Sequence, residues 1–181
     1  MNDSTALRCE LACPAAALEV AFRGIAQQRM ADVPILNPAL RVEAVGFRPW
    51  AQHWLGVLVT PWFMNLWLMP RQAEAWSPLA VGKTRHHVFP AGVFEFIGGL
   101  EASIGDYQAC SLFSPMFEFS DHVAARDTAA AALLALFDVT HREAGQTLAE
   151  VPAKPALARA TGAVSKREFL LGRQHRPDRG S

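Results

Sequence analysis

The 181-residue chain contains only three cysteines, Cys9, Cys13 and Cys110. Three thiols cannot all pair with one another, and a chain of this length is not a small disulfide scaffold. Cys9 and Cys13 are not accompanied by a second Cys/His cluster, so their spacing does not indicate a zinc site. The scarcity of cysteine therefore favours reduced thiols in the cytoplasm, and we predict no metal site.

The chain also lacks an excess of charge of one sign, because 17 basic and 17 acidic side chains cancel. The charges are unevenly placed: residues 1–153 carry 10 basic and 15 acidic side chains, whereas residues 154–181 carry 7 and 2. An acidic body attracts basic peptides and repels nucleic acid. The charge pattern therefore predicts a basic peptide as a partner and no nucleic acid.

A long uninterrupted apolar run is absent. The first 20 residues, "MNDSTALRCELACPAAALEV", have no basic leader region before an apolar stretch, which is not typical of a secretory signal and predicts a cytoplasmic location. Residues 54–70 are apolar but shorter than the ~20 residues that a membrane-spanning helix needs. Pro61 and Asn65 interrupt them. We therefore expect two strands and no stable membrane insertion, and a protein anchored through residues 54–70 stays as an alternative.

Motifs of catalysis are lacking as well. The segment "FIGGLEASIGD" has no Lys-Ser/Thr ending of a phosphate-binding loop, and no G-x-S-x-G sequence occurs. Cys110 lies among apolar residues, which is typical of packing. His86 and His87 are adjacent, so on a strand they point to opposite faces and do not favour a shared metal. We predict no catalytic residue, no metal and no cofactor; an enzyme acting on a small apolar substrate stays as an alternative.

The patterns that are present predict an α+β fold. A helix is predicted over 14–31, where Pro14 suits the first turn. A second helix is predicted over 121–139, capped by Asp121. Its predicted core-facing stripe is Val123, Ala130, Leu133, Leu134 and Phe137. Segments typical of strands occupy 40–47, 54–60, 62–69, 86–100 and 105–113. The segment 86–100 is predicted to give one or two strands, with Pro90 and Gly92 at a bend. Their short connections predict a mostly antiparallel sheet of about five strands flanked by the two helices.

The domain organisation follows from composition. Residues 1–150 are predicted to form a single α+β domain. Residues 151–181 are predicted to be a Pro/Ala linker followed by a basic, disordered tail.

Several sequence blocks in chain order resemble a known family. They are Asn37–Leu40 ("NPAL"), Thr60–Leu66 ("TPWFMNL"), Pro90–Phe96 ("PAGVFEF") and Cys110–Phe119 ("CSLFSPMFEF"). Together they resemble the HybE/HupJ/HoxT family of [NiFe]-hydrogenase assembly chaperones over about residues 15–140.

The resemblance implies a cytoplasmic chaperone that is not an enzyme. Its implied partner is the hydrogenase small-subunit precursor, held through its twin-arginine signal peptide until the iron–sulfur clusters and the large subunit are in place. The large subunit is a second candidate partner. Some relatives carry a rubredoxin-like module with two Cys pairs; this chain lacks such pairs, so no iron site of its own is implied.

A receptor for a twin-arginine signal peptide needs hydrogen-bond acceptors beside an apolar groove, because the peptide presents two guanidinium groups and then an apolar stretch. Glu95 and Glu118 each lie between two Phe residues in the sequence. The predicted partner-binding residues are Trp62, Phe63, Met64, Asn65, Trp67, Glu95, Phe96, Met116, Phe117 and Glu118.

The strand over 62–69 is predicted to divide between core and surface. The face predicted to complete the core consists of Trp62, Met64, Leu66 and Leu68. The face predicted to be exposed, because it contains the polar Asn, consists of Phe63, Asn65, Trp67 and Met69.

The tail contains a segment, Ser165 to Leu170 ("SKREFL"), that resembles the twin-arginine pattern S-R-R-x-F-L with Lys166 in place of the first Arg. One hypothesis is that the tail occupies the chaperone's own groove until a precursor displaces it, since Lys pairs less specifically with a carboxylate than Arg does. The alternative is a chance match in a basic tail.

Overall fold

The computed structural model describes residues 10–30 and 33–141. The predicted linker, the basic tail and its segment at 165–170 lie outside the described residues, as does Cys9.

The chain forms one six-stranded sheet. The strands are β1 (Glu43–Trp50), β2 (His53–Val59), β3 (Met64–Pro70), β4 (Thr84–Phe89), β5 (Gly92–Glu101) and β6 (Gly105–Phe113). Their order in the sheet is β1-β2-β3-β6-β5-β4, and every neighbouring pair is antiparallel. The predicted antiparallel sheet is confirmed. The count of about five becomes six because the segment at 86–100 divides at Pro90 and Ala91 into β4 and β5.

Two helices flank the sheet, as predicted: α1 (Ala15–Gln28) and α2 (His122–Ala135), with short 3₁₀ turns at Ala73–Ala75 and Val139–His141. Asp121 caps α2, since its carboxylate accepts the Ala124 backbone N–H at 2.9 Å. This hydrogen bond lowers the pKa of Asp121. In the described part of the chain, no helix has both the length and the apolar character needed to span a bilayer. The segment at 54–70 instead forms most of β2, a turn and β3, which confirms the predicted pair of strands.

The face of α2 that meets the sheet differs from the predicted stripe. Its buried side chains are His122, Ala125, Ala129, Ala132 and Leu133. Val123, Ala130 and Leu134 are exposed, so the predicted stripe is wrong at these positions. The physical reason is that α2 approaches the sheet through small alanines spaced three and four residues apart, whereas the prediction favoured the bulkier side chains.

The sheet curls around the core on its α2 side. β1 and β4 are the opposite edges of the sheet, yet the rings of Trp50 and Phe89 stack with centroids 4.4 Å apart. A flat sheet of six strands would hold its edges roughly 24 Å apart at ~4.8 Å per strand. The α2 side is therefore the inner side of a curled sheet, and α1 lies on the outer side.

Strand β3 contributes to a core on each side of the sheet. Met64, Leu66 and Leu68 pack in the α2-side core, and Trp67 and Met69 pack in the α1-side core. The predicted exposure of Trp67 and Met69 is wrong, because Trp67 is only 1 % exposed and Met69 is buried. Both positions are apolar on a strand that is covered on both faces.

Leu18 and Phe22 of α1 cover this part of the sheet. The Trp67 ring meets Phe22 edge to face at 5.4 Å and stacks on Tyr107 of β6 at 4.0 Å. The α1 contacts thus account for the burial of the outer side of β3.

Asn37 joins two loops at one end of the sheet. Its side-chain amide donates to the carbonyl oxygens of Met116 (3.0 Å) and Phe119 (2.8 Å), and its backbone N–H donates to that of Pro61 (2.8 Å). The residue is buried, so these bonds replace hydrogen bonds to water. Asn37 therefore fixes the loop between β6 and α2 beside the turn between β2 and β3.

Candidate partner-binding surface

Helix α1 covers only part of the outer sheet face. Along β5, Phe94 and Phe96 are buried on the α2 side, whereas the alternate residues Val93, Glu95 and Ile97 point to the α1 side and are exposed. Val93 is 37 % exposed and Ile97 is 48 % exposed. The outer face is therefore apolar and uncovered at this strand.

The uncovered area, here called the open strip, extends to the neighbours of β5 because paired residues of antiparallel strands share a face. Its members are Thr84, His86 and Val88 on β4, Val93, Glu95 and Ile97 on β5, and Ala109 and Ser111 on β6. Ala109 pairs with Ile97 and also packs against the α1-side core, which fixes the side of the sheet. The open strip thus begins where the cover of α1 ends.

The open strip has the width of one helix. Three strands at ~4.8 Å spacing place the axes of β6 and β4 roughly 10 Å apart. A helix with its side chains is about 10–12 Å across. The strip lies as a shelf beside α1 on the outer side of the sheet, and the apolar groove that the sequence predicted stays a prediction.

Glu95 is the acidic group of the open strip. Its side chain is 48 % exposed, and its Oε2 lies 3.7 Å from Nε2 of His86 on the paired strand. Among the described residues, His86 is its only ion-pair partner within 4.0 Å. The carboxylate therefore keeps acceptor positions for a cationic partner, with Val93 and Ile97 as its apolar neighbours.

The apolar neighbours of Glu95 differ from those that the sequence suggested. Phe94 and Phe96 precede and follow Glu95 in the chain, but the strand pleat points both rings to the opposite face. Phe96 is fully buried there. The sequence does contain a signal for Val93 and Ile97, which is the two-residue alternation of a strand. The large aromatic residues of β5 occupy the face that packs in the core, so the residues that alternate with them lie on the exposed face.

Phe63 and Asn65 are two further predicted site residues. Phe63 is half-buried and meets the ring of Phe22 edge to face at 5.7 Å. Asn65 pairs with Ser111 across β3 and β6, and its Oδ1 is buried without a hydrogen-bond partner in the part of the chain that the structure describes. Asn65 therefore adjoins the strip, whereas Phe63 packs against α1.

Phe117 and Glu118 lie in the loop between β6 and α2 that Asn37 fixes. Phe117 is 60 % exposed, and Glu118 is exposed too. Both are accessible to a partner, as the sequence predicted, but they extend from the end of the sheet and do not belong to the strip.

The other predicted site residues are core residues. Trp62 packs against Phe22 in the α1-side core, with ring centroids 6.4 Å apart, and Trp67 lies in the same core. Met64, Phe96 and Met116 belong to the α2-side core. Their contact with a partner stays a prediction; in this structure they support the neighbouring exposed residues and offer no surface.

No group of three or more His, Cys, Asp or Glu side chains within residues 10–30 and 33–141 is arranged to hold a metal ion. The arrangement on the open strip is instead that of a surface for noncovalent contacts: two apolar side chains, one carboxylate and an imidazole. Fold and surface together define an α+β protein with a half-covered antiparallel sheet.

Comparisons with known proteins identify the family. The model of the family described as "[NiFe]-hydrogenase assembly, chaperone, HybE" matches residues 13–172. HoxT from Cupriavidus necator is 43 % identical over 169 residues, with 87 % of each chain covered. The chain belongs to the HybE family of [NiFe]-hydrogenase assembly chaperones.

Two further relatives define the extent of the similarity. A probable rubredoxin, HupJ, from Rhodobacter capsulatus is 43 % identical over 137 residues, which are 76 % of this chain and 49 % of that protein. The chain thus spans about half the length of that relative. The solution structure of HybE from Escherichia coli matches with a TM-score of 0.57 at 23 % identity, covering 84 % of this chain and 96 % of that one. That likeness supports the fold alone.

Proposed function

We propose that this chain is a cytoplasmic chaperone that binds the small-subunit precursor of a [NiFe]-hydrogenase through its twin-arginine signal peptide. The observation that carries the proposal is the open strip, where Glu95 lies between the exposed side chains of Val93 and Ile97. Family membership supports a hydrogenase subunit as the partner. The chain acts by noncovalent binding and catalyses no reaction.

The apolar part of the signal peptide lies on the shelf beside α1. Covering the exposed parts of Val93 and Ile97 stabilises the complex by about 1 kcal/mol each, since full burial of such a side chain is worth about 1.5–3 kcal/mol. A helical segment fits the three-strand width of the strip. This contact selects hydrophobicity more than a particular sequence.

An arginine of the peptide pairs with Glu95. A guanidinium–carboxylate pair is a strong charge-assisted hydrogen bond. The apolar segment excludes water from the strip as it binds, which lowers the local dielectric and strengthens the pair.

This binding mode delays export by sequestration. While its arginine and apolar side chains contact the chaperone, the signal peptide is unavailable to any other receptor. The precursor is released when assembly with the large subunit, the second candidate partner, makes the competing state more stable.

The proposal is tested by affinity capture from cells that produce hydrogenase, with the tagged full chain as bait. We expect recovery of the unprocessed small subunit, and loss of recovery when its signal peptide is deleted. Ile97→Lys should weaken capture, because it removes an apolar contact and repels the arginines.

Leu100→Lys is the matched control for Ile97→Lys. Leu100 is an exposed apolar residue of the same strand, but its position in the alternation assigns it to the opposite face. Equal capture by both variants, or capture that does not need the signal peptide, would contradict the proposal.

A further inference from the structure

A second cluster of polar and aromatic side chains lies on the inner side of the sheet. It is formed by Trp50 of β1, His53 of β2, Trp76 of the β3–β4 connection, and His87 of β4 with Gln108 of β6; we call it the His/Trp cluster. The His53 ring lies 5.5 Å from that of Trp76, 6.2 Å from that of His87 and 6.1 Å from that of Trp50. The curl of the sheet brings these elements together.

Two nitrogens of the cluster have no hydrogen-bond partner. His53 Nδ1 and Trp76 Nε1 are both buried, and neither is paired within the described residues. An indole N–H can only donate, so the group missing at Trp76 is an acceptor. A buried donor without an acceptor is costly, and an acceptor that reached both rings would remove that cost.

By contrast, His87 has a partner, because its Nε2 lies 2.7 Å from Oε1 of Gln108. Its hydrogen bond fixes one side of the cluster. The unpaired nitrogens belong to the two rings that meet edge to face, those of His53 and Trp76.

The charged surroundings of the cluster are basic. Burial, and then the positive charges of His87 and Arg85, lower the pKa of His53. Burial also lowers the pKa of His87; the hydrogen bond between His87 Nε2 and Gln108 Oε1 opposes this, and Arg85 and His86 add to it. Arg85 donates to the Ser77 carbonyl at 3.0 Å, and no carboxylate of the described residues pairs with it.

We infer that the His/Trp cluster is a binding site for a carboxylate. The carboxylate oxygens accept hydrogen bonds from Trp76 Nε1–H and from His53, and the positive charge of Arg85 balances the charge of the carboxylate. The rings of Trp76 and His53 are half-buried while the two nitrogens lie beneath the surface. Entry of the carboxylate requires displacement of the Trp76 ring, which belongs to a segment, residues 76–80, without regular secondary structure.

Binding is coupled to proton uptake. A carboxylate beside His53 favours the imidazolium, which reverses the effect of burial and of the basic neighbours on its pKa. Affinity should therefore rise as the pH falls below 6.5, by up to about tenfold per pH unit for each proton taken up.

The test is an NMR titration of the full chain with sodium acetate at constant ionic strength, with sodium chloride as the control salt. We expect saturable shifts of the Trp76 indole N–H and the His53 ring signals, with tighter binding at pH 5.5 than at pH 7.5. A second arm uses a capped Gly-Glu-Gly peptide, which presents the same carboxylate on a protein-like chain. Saturation by acetate alone indicates a free small acid, and tighter binding of the peptide indicates a protein side chain.

Trp76→Phe and His53→Phe should each weaken acetate binding at least about tenfold, the effect of losing a hydrogen bond to a charged group. Trp54→Phe is the matched control, because the Trp54 indole N–H already donates to the Leu11 carbonyl and its ring packs on the α1 side of the sheet. Trp76→Phe removes an unpaired buried donor, so it should not lower the thermal midpoint. Shifts equal to those in chloride, or unchanged acetate affinity in Trp76→Phe, would overturn the assignment.

Discussion

The sharpest prediction concerns the charge of Glu95. In Glu95→Gln the side chain keeps its length and one acceptor oxygen but loses its negative charge. Glu95 is 48 % exposed, and its only described ion-pair partner is the imidazole of His86 at 3.7 Å, so the change should leave the fold intact. A signal peptide that places an arginine on Glu95 should bind Glu95→Gln more weakly.

The magnitude follows from the exposure of the carboxylate. A fully exposed ion pair contributes about 0–1 kcal/mol, and a hydrogen bond to a charged group with water excluded contributes about 1.5–3 kcal/mol. Glu95 is half-exposed before the peptide covers it, so we expect about 1–2 kcal/mol. This loss corresponds to a Kd about 5–30-fold higher.

The assay is fluorescence anisotropy with a labelled signal peptide of the hydrogenase small subunit. Peptides with the Arg-Arg pair and with Gln-Gln in its place complete a double-mutant cycle with Glu95→Gln, which isolates the pairwise energy. Glu74→Gln is the matched control, because Glu74 is an exposed carboxylate in the β3–β4 connection and outside the open strip. The Glu95 effect should shrink at high salt.

Two results would refute the reasoning. The first is an equal loss of affinity in Glu95→Gln and Glu74→Gln, which would reflect the net charge of the protein. The second is a coupling energy of zero between Glu95 and the arginine pair, which would mean that the arginines bind elsewhere.

Two further predictions concern stability. Asn37→Ala should lower the free energy of unfolding, measured with urea, by about 2–4 kcal/mol, because two buried carbonyls lose their donor. A loss below about 1 kcal/mol would mean that Asn37 does not hold the two loops together. The pKa of His53 is lower than 6.5 in the folded protein, so the unfolded chain takes up the proton first when the pH falls below 6.5. The thermal midpoint should therefore fall with the pH until the pH reaches the pKa of His53 in the folded protein. In carboxylate-free buffer, His53→Phe should reduce this fall of the thermal midpoint. A pH profile of the thermal midpoint that is the same in His53→Phe and in the unchanged protein would refute this prediction.

The element positions follow directly from the sequence because turn and cap residues mark them. Asp121 begins α2, and the Pro90–Gly92 bend separates β4 from β5. The faces of β3 do not follow, because its side chains are apolar on both sides except for Asn65. Only the position of α1, which depends on long-range packing, decides that Trp67 is buried.

The candidate site could be predicted in part. Glu95 and Phe117 were identified from family-like blocks, and both are exposed. The sequence prediction does not include Val93 and Ile97, because it places Glu95 between its chain neighbours Phe94 and Phe96, whereas on a strand the residues two positions away share the face. The extent of the open strip depends on the length and placement of α1, which the local pattern of β5 does not contain.

The composition of the open strip explains how an apolar sheet face can stay uncovered in the free protein. Exposed apolar strands near a sheet edge promote association between copies, and charged side chains on them oppose it. Glu95 and His86 lie in the middle of the strip and keep it hydrated. A partner that binds there needs a group that forms hydrogen bonds with the carboxylate in place of water. An arginine beside an apolar segment meets this requirement, whereas an apolar segment alone would leave the carboxylate buried and unpaired. In the proposed function the same carboxylate limits self-association and selects the peptide, and its neutralisation in Glu95→Gln should weaken both effects at once.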